Sequence, residues 1–151
     1  MKLLMTQRKL AEYAGTEIVT MELALAHRAR GHEIAVYCPR PGKLVDVLAS
    51  NGIASVASIA DVPWRPDLIH AHHRLPALAA LARFSGVPCV YMCHGLRPWV
   101  ESPPLHPQIA LYAAVSQKLA THMATRYGFA PDRVRVVNNG VDTNRFSRVR
   151  P

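Results

Sequence analysis

Strand and helix alternate along the whole chain, and that alternation predicts an α/β fold: a Rossmann-like, doubly wound parallel sheet with helices on both faces. Two further observations support it. Short apolar runs end abruptly at Gly, Pro or His, as strands covered on both faces do. Between them, apolar residues recur at helical spacing and stop at a glycine. With 151 residues, the chain has material for one domain with a proper core and too little for two ordinary ones.

Lys2 to Thr6 reads as the first strand. A polar loop to Ala14 follows, and Gly15-Thr16-Glu17 opens a helix whose Ile18, Met21, Leu25 and Ala29 share a face, with Gly31 as its stop. The second strand is Glu33 to Cys38, ended by a turn at Pro39-Arg40-Pro41-Gly42. Lys43 to Asn51 is a short helix closed by Gly52, and Ile53 to Ala57 a third strand. Asp67 to Ala71 is the fourth strand. Arg74 to Ser85 is a helix with Leu75, Leu78, Ala79 and Ala82 on its apolar face. Val87 to Cys93 makes the fifth strand, bounded by Pro88 and Gly95 and followed at once by His94.

The next loop, to Gln108, holds four prolines and Trp99, so it should be irregular but stiff. Ile109 to Val115 is a sixth strand. Ser116 can cap the helix after it, in which Leu119, Met123 and Tyr127 align and which Gly128 stops. Val134, Val136 and Val137 form a seventh strand leading into Asn138-Asn139-Gly140-Val141-Asp142. The expected strand order is 3-2-1-4-5-6-7, with the switch point between strands one and four.

Charge narrows the partners without naming one. Eighteen Lys and Arg stand against ten Asp and Glu, and fourteen of the eighteen are Arg, the side chain suited to bidentate contact with phosphate or carboxylate. Neither a helix-turn-helix pattern nor an aromatic RNA-binding motif is present, so no nucleic-acid partner is expected. Cys38, Cys89 and Cys93 are odd in number and lack a CxxC pair. They point to buried thiols in a reducing cytosol. The apolar run Met1 to Met5 is too short for a signal peptide or a spanning helix, so the expected location is cytoplasmic, with any membrane contact peripheral.

Ligands of open α/β sheets collect outside the carboxyl ends of the strands. Gly15 before a helix lets a ligand approach the backbone, and the first amides of that helix favour an anion; a tight turn would ask for the same glycine. The dinucleotide fingerprint G-x-G-x-x-G is absent, which argues against a nicotinamide or flavin cofactor. His70, His72 and His73 follow one another after the fourth strand. Alternate strand residues point to opposite faces, so a metal site is not expected there. His70 should lie inside the sheet, and His72 and His73 should line the carboxyl-end cleft beside Gly15. With His94 at the end of the neighbouring strand, these residues converge on one crevice, where His94 could transfer a proton or donate a hydrogen bond to a sugar or phosphate oxygen. No G-x-S-x-G elbow accompanies them, which disfavours an acyl-transfer hydrolase.

Six stretches in order resemble the amino-terminal domain of the family 4 group of GT-B glycosyltransferases: Ala14-Gly15-Thr16-Glu17, LALAHRARGHEIAVY at 23–37, DLIHAHH at 67–73, GVPCVYMCHG at 86–95, AAVS at 113–116, and RVRVVNNGVDTNRF at 133–146. The resemblance implies one half of a two-domain enzyme that moves a sugar from a nucleotide-sugar to an acceptor with retention at the anomeric carbon. This half, 1–142, would be the acceptor-side domain, with 143–151 the start of an interdomain linker and the donor-binding domain absent. His94 would be the catalytic residue, orienting and polarising beside the transferred sugar while the donor phosphate sits near the acceptor hydroxyl. Gly15, Thr16, Glu17, His72, His73, Gly95, Ser116 and Asn139 would lie near acceptor and donor phosphate. The co-substrate is a nucleotide-sugar, and neither a metal nor another cofactor is implied. Expected partners are the nucleotide-sugar, the acceptor and a donor domain in cis or trans. Contact with a membrane surface and self-association through an uncovered interdomain face are compatible with the same reading.

The chain departs from the family pattern at the glycine pair, here Ala14-Gly15, and in a short connection from His94 to Gln108. Taken alone, this half should be inactive. A free-standing module that binds a phosphorylated or acidic ligand is the alternative from a different class. A nucleotide-sugar epimerase is a third reading, which the N-N-G-V-D stretch disfavours.

Overall fold

A computed structural model of the chain describes residues 1–11, 14–97, 99–141 and 143. The carboxyl-terminal positions expected to begin a linker, and Asp142 of the N-N-G-V-D stretch, lie outside the described residues except for Thr143. Among the described residues, seven strands form one parallel sheet: β1 (Lys2–Thr6), β2 (Glu33–Tyr37), β3 (Ala54–Val56), β4 (Leu68–His72), β5 (Cys89–Cys93), β6 (Ile109–Ala114) and β7 (Val134–Val136). Their order is β3-β2-β1-β4-β5-β6-β7, as the alternation predicts. The switch point falls between β1 and β4, where Leu3 to Thr6 run in register with Leu68 to Ala71.

Successive strand side chains point to opposite faces, and the sheet accordingly separates two cores. Leu3, Met5, Ile34 and Val36 pack under α1 (Gly15–Ala29) and α2 (Leu44–Ser50), with Met21, Ala24, Leu44 and Leu48. On the other face, Leu4, Ile69, Tyr91 and Tyr112 pack under α3 (Arg74–Arg83) and α4 (Gln117–Tyr127), with Ala77, Leu81, Leu119 and Met123. The cysteines are all buried, and burial pushes the Cys38 and Cys93 thiols up to about 11 and Cys89 to about 12. They are packing residues, not nucleophiles.

Helix ends follow the sequence closely. Ser116 Oγ accepts from the Leu119 amide at 3.2 Å, and Gly128 closes α4 in the left-handed conformation at φ 68°. Helix faces are less well anticipated. α1 buries Glu17, Thr20, Met21 and Ala24, while Ile18 and Leu25 are half-buried and Ala29 exposed. α3 buries Pro76, Ala77, Ala80 and Leu81, leaving Leu75 70% exposed and Ala82 exposed. Two departures are local. Ile59–Asp61 forms a 3-10 turn capped by Ser58, and β4 runs one residue further than expected, to His72.

No helix among the described residues covers the α1 side of β4, β5 and β6. The described residues between β5 and β6 form neither helix nor strand, in keeping with a proline-rich stretch, and contribute no layer there. A groove of about 620 Å³ therefore lies along Val90, Met92, Leu111 and Ala113, walled by α1 and by Val137 to Val141.

Candidate functional site

The carboxyl ends of β1, β4 and β5 open into a second hollow of about 520 Å³, and charged groups converge on it. Its floor is the amino terminus of α1. The first hydrogen bond of that helix runs from Ile18 N–H to the Ala14 carbonyl at 2.9 Å, and Ala14 offers no side-chain cap. The Gly15 and Thr16 amides thus precede the helical ladder at the positive end of the helix dipole. A Cβ built on Gly15 meets nothing within 4 Å, so the glycine keeps the ligand space open and does not relieve a clash.

Arg8 and Lys9, from the loop after β1, form one wall, and Arg97, from the loop after β5, another. Glu17 is 1% exposed at the base of this hollow, with Lys9 Nζ 3.4 Å from its Oε1. The β5 loop is pinned rather than loose. Arg74 N–H donates to the Val100 carbonyl at 2.9 Å, tying the loop to the start of α3. Glu101 accepts from the Arg97 amide at 3.1 Å, and the Tyr91 hydroxyl donates to the Glu101 carbonyl at 3.3 Å.

Two histidines complete the lining. His73 caps the start of α3 at φ 61° and ψ 140°, a backbone conformation that costs a non-glycine residue about 1–3 kcal/mol. It is buried, and its Nδ1 has no hydrogen-bond partner among the described residues. Burial, then the nearby His94 and Arg8, push it down to about 4. His94 follows β5 and is half-buried, and desolvation lowers it to about 4 as well. Both rings are therefore neutral at pH 7, able to offer one donor and one acceptor each.

The crevice thus holds Gly15, Thr16, Glu17, His73, His94 and Gly95 of the residues singled out from the sequence. His72 does not line it. β4 extends through His72, whose ring is fully buried behind the crevice, its Nδ1 2.7 Å from His94 Nε2. Thr6 fixes its backbone, accepting from the His72 amide and donating to the His72 carbonyl, both at 3.0 Å. Ser116 is engaged in capping α4, and Asn139 lines the apolar groove instead. His70 also opens onto that groove and is not wholly inside the sheet.

Arg8, Lys9, Arg97 and Glu101 were not legible as site residues. Their only signal was position, just beyond the strand ends of β1 and β5. The apolar groove is larger, but its chemistry is poorer: Glu22 and His70 are its ionisable members, and no helix terminus points into it. Among the described residues, no three His, Cys, Asp or Glu side chains are grouped to hold a metal ion. No helix there is long and apolar enough to cross a membrane.

Residues 54–145 match Glycosyltransferase Family 4. Among solved structures, the chain is similar to a glycosyltransferase from Rickettsia africae, with a TM-score of 0.77 and 19% identity over 99% of this chain and 46% of that one. It is also similar to HepE of Anabaena in complex with UDP-glucose, with a TM-score of 0.71 and 22% identity over 95% of this chain and 45% of that one. HepE in complex with UDP and glucose superposes with a TM-score of 0.69 at 20% identity, over 95% of this chain and 46% of that one. The chain spans about half the length of these structures. None of the curated protein sequences matches it.

Proposed function

The chain belongs to glycosyltransferase family 4, and we propose that it is the acceptor-side half of a retaining enzyme that moves a sugar, most simply a hexose, from a nucleotide-sugar to an acceptor. The observation that carries the proposal is the convergence of the α1 amino terminus, Arg8, Lys9 and Arg97 with the neutral His94 in one crevice. Helix amides and guanidinium groups suit a diphosphate. A neutral imidazole beside them suits a sugar oxygen. In this reading the donor diphosphate approaches Gly15 and Thr16, and His94 orients the transferred sugar. The leaving phosphate sits close to the acceptor hydroxyl and takes its proton.

The proposal assigns the wall facing this crevice to a donor domain. That wall would exclude water and hold the donor in line. The test joins the chain to the donor half of a family 4 enzyme, in cis or in trans, and follows nucleotide release in the presence of acceptor extracts. Sugar transfer that requires both halves and is lost in His94→Ala supports the proposal. No transfer from any nucleotide-sugar, with His94→Ala also leaving nucleotide binding unchanged, sinks it.

A second reading is favoured by one fact: Arg8, Lys9 and Arg97 all reach the crevice from this chain. A free-standing module would bind a phosphorylated or acidic ligand there and turn nothing over, whichever domain is supplied.

A further inference from the structure

We propose that His72 is a positioning residue that locks His94 in one neutral tautomer, with its hydrogen on Nδ1, so that His94 meets its ligand as a hydrogen-bond donor and not as a base. The functional meaning rests on the sugar-transfer reading of the crevice. The tautomer itself does not.

The geometry of the pair is specific. The rings lie 15° from coplanar with centroids 4.9 Å apart, and His72 Nδ1 is 2.7 Å from His94 Nε2. That centroid separation nearly equals the nitrogen–nitrogen distance plus the two centre-to-nitrogen radii. The imidazoles therefore meet edge to edge in almost one plane, joined by an in-plane hydrogen bond and not by a stack of faces. Such a contact holds one hydrogen, so the tautomers of the two rings are coupled.

Two arrangements are open to the pair. If His94 donates from Nε2, His72 must carry its hydrogen on its own Nε2. That atom is buried and has no partner among the described residues, on a ring with 0% exposure. An N–H would then be stranded in a dry interior, the rarest kind of unsatisfied group. If His72 donates from Nδ1, its Nε2 is only an unused lone pair, and no N–H is orphaned. The second arrangement leaves His94 with a bare Nε2 turned inward. Its hydrogen then sits on Nδ1, a ring nitrogen with no hydrogen bond among the described residues, left for the crevice.

The surroundings keep the pair neutral. His70 lies against His72 with ring centroids 4.7 Å apart and planes tilted by 33°, while His73 and Arg8 lie on the crevice side. Burial first, then His70, His94 and His73, hold His72 well below the usual imidazole range. Burial opposes a second proton on either ring, and on His72 the neighbouring imidazoles oppose it as well.

Long-range ¹H–¹⁵N spectra of the labelled chain at pH 7 decide the matter, with His94→Gln to assign the ring. The expected result is a single His94 tautomer with the hydrogen on Nδ1, unchanged on acidification to pH 5.5. A His94 hydrogen on Nε2, or an ordinary mixture of tautomers, would overturn the proposal from the wild-type spectrum alone. In His72→Phe, which fills the space without a donor, His94 should revert to a mixture and titrate at higher pH. His72→Asn can donate from nearly the same point and should restore the Nδ1 signature. If Asn behaves as Phe does, His72 is only a space-filler. No substrate enters these spectra, so they can succeed while sugar transfer fails, or the reverse.

Discussion

Gly95 and Glu101 are in contact across the rim of the crevice: a Cβ added to Gly95 would lie 2.5 Å from Glu101 Oε2. The carboxylate fills that space because it accepts from the Arg97 amide, closing the turn that carries the Arg97 side chain. Gly95→Ala should push Glu101 aside and open this turn. The cost to stability is the loss of one hydrogen bond, about 1 kcal/mol. Affinity for UDP or pyrophosphate should fall several-fold as Arg97 loses its place, measured by calorimetry. Unchanged affinity would mean that the turn does not position Arg97 for an anion.

Gly15→Ala makes the opposite separation. No atom within 4 Å contests the new methyl, and Gly15 has no positive φ to strain. Alanine is also the better helix former, so thermal stability should stay within about 0.5 kcal/mol of wild type or rise. The methyl would nevertheless stand where a diphosphate must approach the backbone. A tenfold or greater loss of nucleotide binding without destabilisation is expected. Equal binding in both proteins would move the anion site away from the α1 amino terminus.

The sheet was legible in the sequence because runs such as β2, β4 and β5 are short, apolar and closely followed by Pro, His or Gly, and a glycine stands within three residues of the end of each α-helix. Ser116 and Gly128 could be placed to the residue for that reason. Helix faces were harder. On α3 the stripe was misplaced by about one position: in an Ala-rich helix nearly every face looks apolar, and only packing decides that Leu75 points out. The crevice was half legible. Strand ends announced Gly15, His73 and His94, but Arg8, Lys9 and Arg97 sit in loops whose course no periodicity fixes. The sequence places His72 in the cleft because the apolar run ends β4 one residue short of its true end, and a single residue along a strand changes both face and burial.

Trp99 gives a prediction about membranes. It is 82% exposed in the loop held to α3 by Arg74 and Val100, and Leu75 (70%), Leu96 (51%) and Leu105 (71%) are exposed with it. Apolar tips beside arginines suit the interface of an anionic bilayer. The chain should co-sediment with phosphatidylserine-containing vesicles, more weakly at high salt, and Trp99→Ala should reduce binding several-fold. Binding to neither kind of vesicle removes the membrane from the proposed partners, and equal binding to both removes the part assigned to the arginines.

The neutral histidines make stability depend on pH. His70, His73 and His94 have folded values near 4, and His72 lies well below the ordinary value of 6.5. Between about pH 4 and 6.5 the unfolded chain therefore binds protons that the folded chain refuses. Unfolding free energy then rises with pH across that window, and the stability is fully present above pH 6.5. It is lost as the pH falls toward 4. One such group contributes about 2 kcal/mol of destabilisation by pH 5, and the neighbouring rings add less than their sum because each opposes charging of the next. Urea midpoints should fall from pH 7 to pH 5, and His70→Phe, at a position that lines the apolar groove and not the crevice, should flatten the slope while leaving the Arg8, Lys9 and Arg97 lining in place. A midpoint independent of pH across this range would mean that at least some of these rings accept protons in the folded chain. A flat profile would also remove the neutral His94 that a single tautomer requires.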